Sequence, residues 1–130
     1  MKTEPSAFSW EQLVKDGTTT WDGVRNYQAR NNLKLMKTGD LAFIYHSVSD
    51  KEIVGIAKIS KEYFQDPTTP DCNWVAVDLI PIESLTKKIK LSEIKLNPEL
   101  QNIALLKQSR LSVIPLTKKE YEIIRSLGKY

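Results

Sequence analysis

The chain has 130 residues, a mass of 14.9 kDa and a formal net charge of +3, with 41% hydrophobic and 27% charged residues. That balance suits one self-supporting core and excludes a disordered chain, while the mild excess of base permits phosphate contact without demanding it. One cysteine, Cys72, and one histidine, His46, exclude an internal disulfide and a zinc site built from clustered Cys and His. No apolar run nears the roughly 20 residues that span a bilayer, and Met1 to Pro5 lacks the apolar core of a signal peptide. Residues 1–130 are therefore expected to form one domain, without metal or cofactor, in the cytoplasm, or on the nucleoid if the source is bacterial.

In chain order, Ser9-Trp10-Glu11-Gln12 is a capping box that predicts a helix start: Ser9 caps the Gln12 amide, Gln12 reaches back, and Phe8 and Leu13 form a staple. Gly17 is its stop. Thr18 to Thr20 leads, as loop or short extended piece, into the block W-D-G-V-R-N-Y-Q-A-R-N from Trp21 to Asn31. Trp and Tyr there supply π faces, Asn and Gln pair donor with acceptor, and two arginines offer forks, a set suited to a flat base and its phosphate. Asn26 reads as the N-cap of a helix running to Lys37, ended by Gly39, with Ala29, Leu33 and Met36 toward the core. Trp21 to Arg25 would then be the loop entering its positive end.

From Asp40 the period changes to two. Leu41 to His46 and Glu52 to Ser60 read as strands of an antiparallel hairpin turning at Ser47 to Lys51, with Gly55 marking a bulge or a close approach of backbone. Gln65 to Cys72 reads as loop, Asn73 to Ile82 as a strand with Pro81 at its end, Lys87 to Leu91 as a weaker strand or turn, and Ser92 to Lys95 as a helical turn. Asn97-Pro98-Glu99 predicts a helix to about Lys107, with Leu100, Ile103 and Ala104 inside. Arg110 to Pro115 alternates as a strand. Thr117-Lys118-Lys119-Glu120, stapled by Leu116 and Tyr121, opens a last helix stopped by Gly128. Helices mixed with hairpin-like links indicate an α+β fold with a curved or barrel-like antiparallel sheet.

Neither a glycine-rich phosphate loop nor a G-x-S-x-G elbow is present, so no catalytic motif stands beside His46. His46 either caps the hairpin or touches a ligand, Trp74 serves as pocket wall or core, and Trp10 reads as core or helix surface. Arg25 and Arg30 can hold phosphate or pair with acids.

Taken in order, Lys2-Thr3-Glu4-Pro5, the Trp21–Asn31 block, Tyr45-His46-Ser47, Trp74-Val75-Ala76-Val77-Asp78 and Arg110-Leu111-Ser112-Val113 resemble the EVE domain family over nearly the whole chain. The resemblance implies a PUA-like fold, a curved, mostly antiparallel β-barrel with flanking helices, akin to YTH and SRA-type readers. It also implies a non-enzymatic, monomeric binder of nucleic acid carrying a modified base, most often modified cytosine in DNA, turned into a pocket. Trp21 and Asn26 would lie at that pocket with Tyr27 and Gln28 beside them. Lys2, Thr3, Glu4, His46, Ser47 and Trp74 would close it, and Arg25, Arg30 and Arg110 would hold phosphate. A second expectation comes from PUA-like relatives of the ASCH type, which hydrolyse modified nucleosides; Lys2, Thr3 and Glu4 would then supply acid, base or nucleophile. Family members usually carry aromatic and aliphatic residues before K-T-E-P, whereas Met1 stands directly before Lys2 here, so either the first strand is short or the sequence is trimmed.

Overall fold

Apolar residues of the middle strands alternate between two cores, one on each side of a single sheet. The computed structural model describes residues 1–47, 51–108 and 110–128. Its sheet holds five strands: β1 (Lys2–Thr3), β2 (Thr19–Trp21), β3 (Leu41–His46), β4 (Glu52–Gln65) and β5 (Val75–Lys90), in the order β1-β3-β4-β5-β2. Only β1 and β3 run parallel. Ile44, Val54, Ala57, Ile59, Val75, Val77 and Leu79 enter the first core, where α1 (Trp10–Asp16) and α2 (Tyr27–Leu35) contribute Trp10, Leu13, Ala29 and Leu33. Phe43, Tyr45, Ile53, Ile56, Leu85 and Ile89 enter the second, under α3 (Leu91–Leu96), α4 (Ala104–Lys107) and α5 (Lys118–Leu127). Neighbours along β3 thus point to opposite faces, as the pleat demands.

Local signals set the helix ends. Ser9 Oγ accepts from Gln12 N at 3.1 Å, and Gly17, at φ +77°, closes α1 by donating to Leu13 O at 2.9 Å. Asn26 Oδ1 accepts from Ala29 N at 2.9 Å, and Thr117 and Glu120 form the complete reciprocal box of α5. Gln12, however, does not reach back to Ser9; its amide donates to Asp16 Oδ1 at 2.8 Å. Gly55 sits at a register shift of β4, and a Cβ there would overlap ring atoms of Trp10, so both the expected bulge and the close approach occur.

Longer-range pairing overrides other expectations. The curved sheet stays open, because β1 and β2 are short strands at opposite edges that never meet. α2 stops at Leu35, where Met36 turns extended, and Gly39 instead donates its N–H to Ile59 O at 2.9 Å. β4 continues to Gln65, and β5 runs unbroken through Pro81 to Lys90. Pro81 pairs with Ala57 beside a register shift, beyond the Val77–Leu79 stretch that β2 covers, which is where a residue lacking an N–H is tolerated. The segment after Asn97 is not one helix: a 3-10 turn at Pro98–Leu100 precedes α4. There Gln101 Nε2 donates to the carbonyls of Lys95 and Asn97, and burial of Leu100 and Ile103 fixes the path. Arg110 to Pro115 buries Leu111 and Val113 alternately but belongs to no strand; Ser112 O accepts from Lys2 N and Val113 O from the Asn32 side chain. Three residues of the expected hairpin turn, Val48 to Asp50, lie outside the described residues.

Candidate functional site

The Trp21–Asn31 block divides among three structural duties. Trp21 ends β2, opposite Val77, and packs half-buried against the first core with its ring edge-on to Phe8 at 6.3 Å. It is therefore part of the sheet and not of a polar loop. The chain then turns at Gly23, whose φ of +77° is a conformation that glycine adopts without strain. Val24 is buried, and Asn26 caps α2.

Asp66 holds that turn in place, and the sequence reading missed it. Its carboxylate is fully buried and accepts hydrogen bonds from Gly23 N at 2.8 Å, Arg25 Nη1 at 2.9 Å, Thr68 N at 2.7 Å and the Thr68 hydroxyl. Burial by itself pushes the Asp66 carboxyl up; the Thr68 hydroxyl, Arg25 and the Thr68 and Gly23 amides outweigh it and hold the group well below the usual carboxylate range. The bond from Thr68 N to Asp66 two residues earlier is an Asx turn, and Asp-Pro-Thr-Thr is the signal that was available for it. Arg25 also donates to Val24 O at 3.1 Å and Thr68 Oγ1 at 3.0 Å. Most of its fork is spent inside the protein.

Tyr27 and Trp74 meet with ring centroids 4.9 Å apart and planes inclined by 32°. Arg25 lies over Trp74 at 5.6 Å, and Arg30 over Tyr27 at 4.9 Å. Arg30 is steadied by two bonds to Asn31 Oδ1, at 3.1 and 2.8 Å, and one to Asn73 O at 3.2 Å. The two rings are already in contact, so no base fits between them unless they separate.

A second group gathers at the β1 edge. Lys2 and Thr3 pair with Tyr45 and His46, and Ser47 donates from both N and Oγ to Thr3 O, at 2.9 and 3.3 Å. Thr3 Oγ1 donates to Phe8 O at 2.7 Å, which joins this edge to the ring that touches Trp21. Burial lowers the Lys2 ammonium from the ordinary lysine range. His46 is buried, and its Nε2 accepts from Trp10 N at 3.0 Å, so it caps α1. Glu4, Asn26, Gln28 and Arg110 are exposed, and Glu4 O accepts from the amides of Ala7 and Phe8. A cavity of about 570 Å³ lies elsewhere, between β3, the end of α2, residues 114–118 and α5; of the expected site residues only Lys2 lines it.

Over residues 1–127 the sequence matches the EVE domain. Thymocyte nuclear protein 1 from Homo sapiens is 36% identical across 98% of this chain and 72% of its own length. Protein Atu2648 from Agrobacterium tumefaciens superposes with a TM-score of 0.95 at 38% identity, covering 98% of this chain and 89% of that one. Human THYN1 protein, solved in complex with DNA containing 5-methylcytosine, superposes with a TM-score of 0.92 at 35% identity, covering 100% and 96%. These neighbours have the PUA-like α+β fold, and so does this chain. With similarity of this extent in both sequence and structure, the chain belongs to the EVE domain family.

Proposed function

We propose that this protein is a non-enzymatic reader of modified cytosine in DNA. The observation that carries the reading is the human THYN1 structure with 5-methylcytosine DNA, whose fold this chain reproduces over its whole length. Trp21, whose ring meets Phe8 edge-on, supplies the aromatic face, and the Phe8 carbonyl in turn accepts from the Thr3 hydroxyl of β1. Turning a base out of a duplex costs a few kcal/mol, and one aromatic stack returns about 1 to 3 kcal/mol, so Trp21 with two or three hydrogen bonds is enough to hold it. Arg30 is the better phosphate ligand, because Arg25 already pairs with Asp66.

Fluorescence anisotropy tests the reading with a duplex carrying one 5-methylcytosine, its unmodified twin and an RNA counterpart. Binding at least tenfold tighter to the modified DNA is expected, and equal affinities would overturn it. Trp21 packs on the core, so Trp21→Leu, which keeps apolar bulk, is the informative variant: it should erase the preference while remaining folded. Incubation with free modified cytidines should leave them intact; a hydrolysis product would point to the ASCH-type activity instead.

A further inference from the structure

We propose that Tyr27, Arg30 and Lys34 of α2, together with Tyr63 of β4, form a second nucleic-acid contact: a track for the sugar-phosphate strand that flanks the read base. The proposal rests on the reading of the protein as a DNA binder. Positions 27, 30 and 34 fall on one helix face, beside the buried stripe of Ala29 and Leu33. On that face, large aromatic rings stand in solvent: Tyr27 is 60% exposed and Tyr63 48%. Each carries a cation, Arg30 over Tyr27 at 4.9 Å and Lys34 over Tyr63 at 5.7 Å. The result is a ridge in which π faces and positive charges alternate.

The charge on this ridge is uncompensated. Among the described residues, neither Arg30 nor Lys34 forms an ion pair with a carboxylate. Glu62, next to Tyr63, accepts from Thr38 N at 3.2 Å and faces Lys37 Nζ at 4.0 Å. A merely solvated face would need neither aromatic seats for its cations nor the three hydrogen bonds that fix Arg30. The dimensions also fit a nucleic-acid strand. Seven residues of helix rise about 10 Å, and one strand of DNA presents a phosphate about every 3.4 Å of axis, so the ridge spans about three nucleotides. Planar groups beside the cations suit the sugars and exposed base faces of a strand opened by flipping.

Salt-dependent titration of the modified and unmodified duplexes tests the track. In Arg30→Gln and Lys34→Gln, each loss of a phosphate contact should flatten the slope of log affinity against log salt by about 0.9, with the modified-to-unmodified ratio unchanged. Tyr63→Leu should weaken both duplexes about fivefold or more, and Lys95→Gln, on the side of the other core, should match wild type. Wild-type slopes in both charge variants, with the preference for modified DNA intact, would overturn the track and leave the reader standing. A variant that changes the preference and not the slope would place these residues at the base, which also overturns it. If the wild-type protein binds neither duplex, the reader and the track fall together.

Discussion

Asp66→Ala is expected to destabilise the protein by about 3 kcal/mol. The carboxylate is fully buried and accepts four hydrogen bonds, from Gly23 N, Arg25 Nη1, and the amide and hydroxyl of Thr68. Removing one member of a buried ion pair costs about 3–5 kcal/mol when the other is left without solvent. Here the Arg25 side chain is 41% exposed and can regain water, and alanine also removes the desolvation cost of the carboxylate, so the low end applies. For a chain of this length the loss corresponds to a fall of about 10 °C in Tm. Urea unfolding followed by circular dichroism measures it as a lower midpoint at constant slope. Asp66→Asn preserves shape and one acceptor but turns an N–H₂ toward donors, so only part of the loss should be recovered. A cost below about 1 kcal/mol for Asp66→Ala would refute the claim that this carboxylate holds the turn. Acid gives an independent check on sign. The folded pKa is depressed, so the contribution of Asp66 is complete above its unfolded value of about 3.9 and declines as pH falls below that toward the folded value. The stability difference between wild type and Asp66→Ala should therefore narrow on acidification below about pH 4; a difference that widened would mean that burial had won.

Two further substitutions probe the seat of Trp10. Gly55→Ala would place its Cβ among ring atoms of a tryptophan that is 5% exposed and tied through Nε1 to Ser84 Oγ at 2.8 Å. The expected cost is about 1–3 kcal/mol, and the smaller ring of Trp10→Phe should relieve part of it, so the double-mutant cycle in urea should show coupling; strict additivity would contradict the close approach. His46→Leu strips Trp10 N of its acceptor in the interior, and a loss of about 1–3 kcal/mol is expected. An unchanged urea midpoint would show that this bond does not hold α1 to the sheet.

What the sequence disclosed follows the range of the interaction responsible. Ser9, Asn26 and Thr117 each bond an amide three residues away, so their caps are legible from spacing alone. Resemblance carried along the whole chain supplied the PUA-like fold. Residues 97–107 and 110–115 misread because their local patterns agree with a helix and a strand, while the partners that decide them, Gln101 with two carbonyls and Asn32 with Val113 O, lie outside any periodicity. The sequence pattern stops β5 at Ile82, just past Pro81, for a related reason, since tolerance of a proline depends on which edge of the strand is covered, and β2 covers only Val77 to Leu79.

The Trp21–Asn31 block illustrates the same limit at the scale of two side chains. Arg25 and Arg30 stand five residues apart with identical chemistry, and nothing in W-D-G-V-R-N-Y-Q-A-R-N separates them. What separates them is Asp66, 41 positions beyond Arg25, whose buried carboxylate claims one guanidinium, while Arg30 is held by an amide, a carbonyl and a ring that leave its charge unneutralised. A cation already paired to a buried acid gains little from a phosphate, because binding it would leave the acid uncompensated. A cation that is ordered but unpaired meets phosphate with its geometry set and no ion pair to break. The protein thus uses the first arginine to fix the turn leading from Trp21 and leaves the second, among the described residues, outside any ion pair, as the proposed track requires.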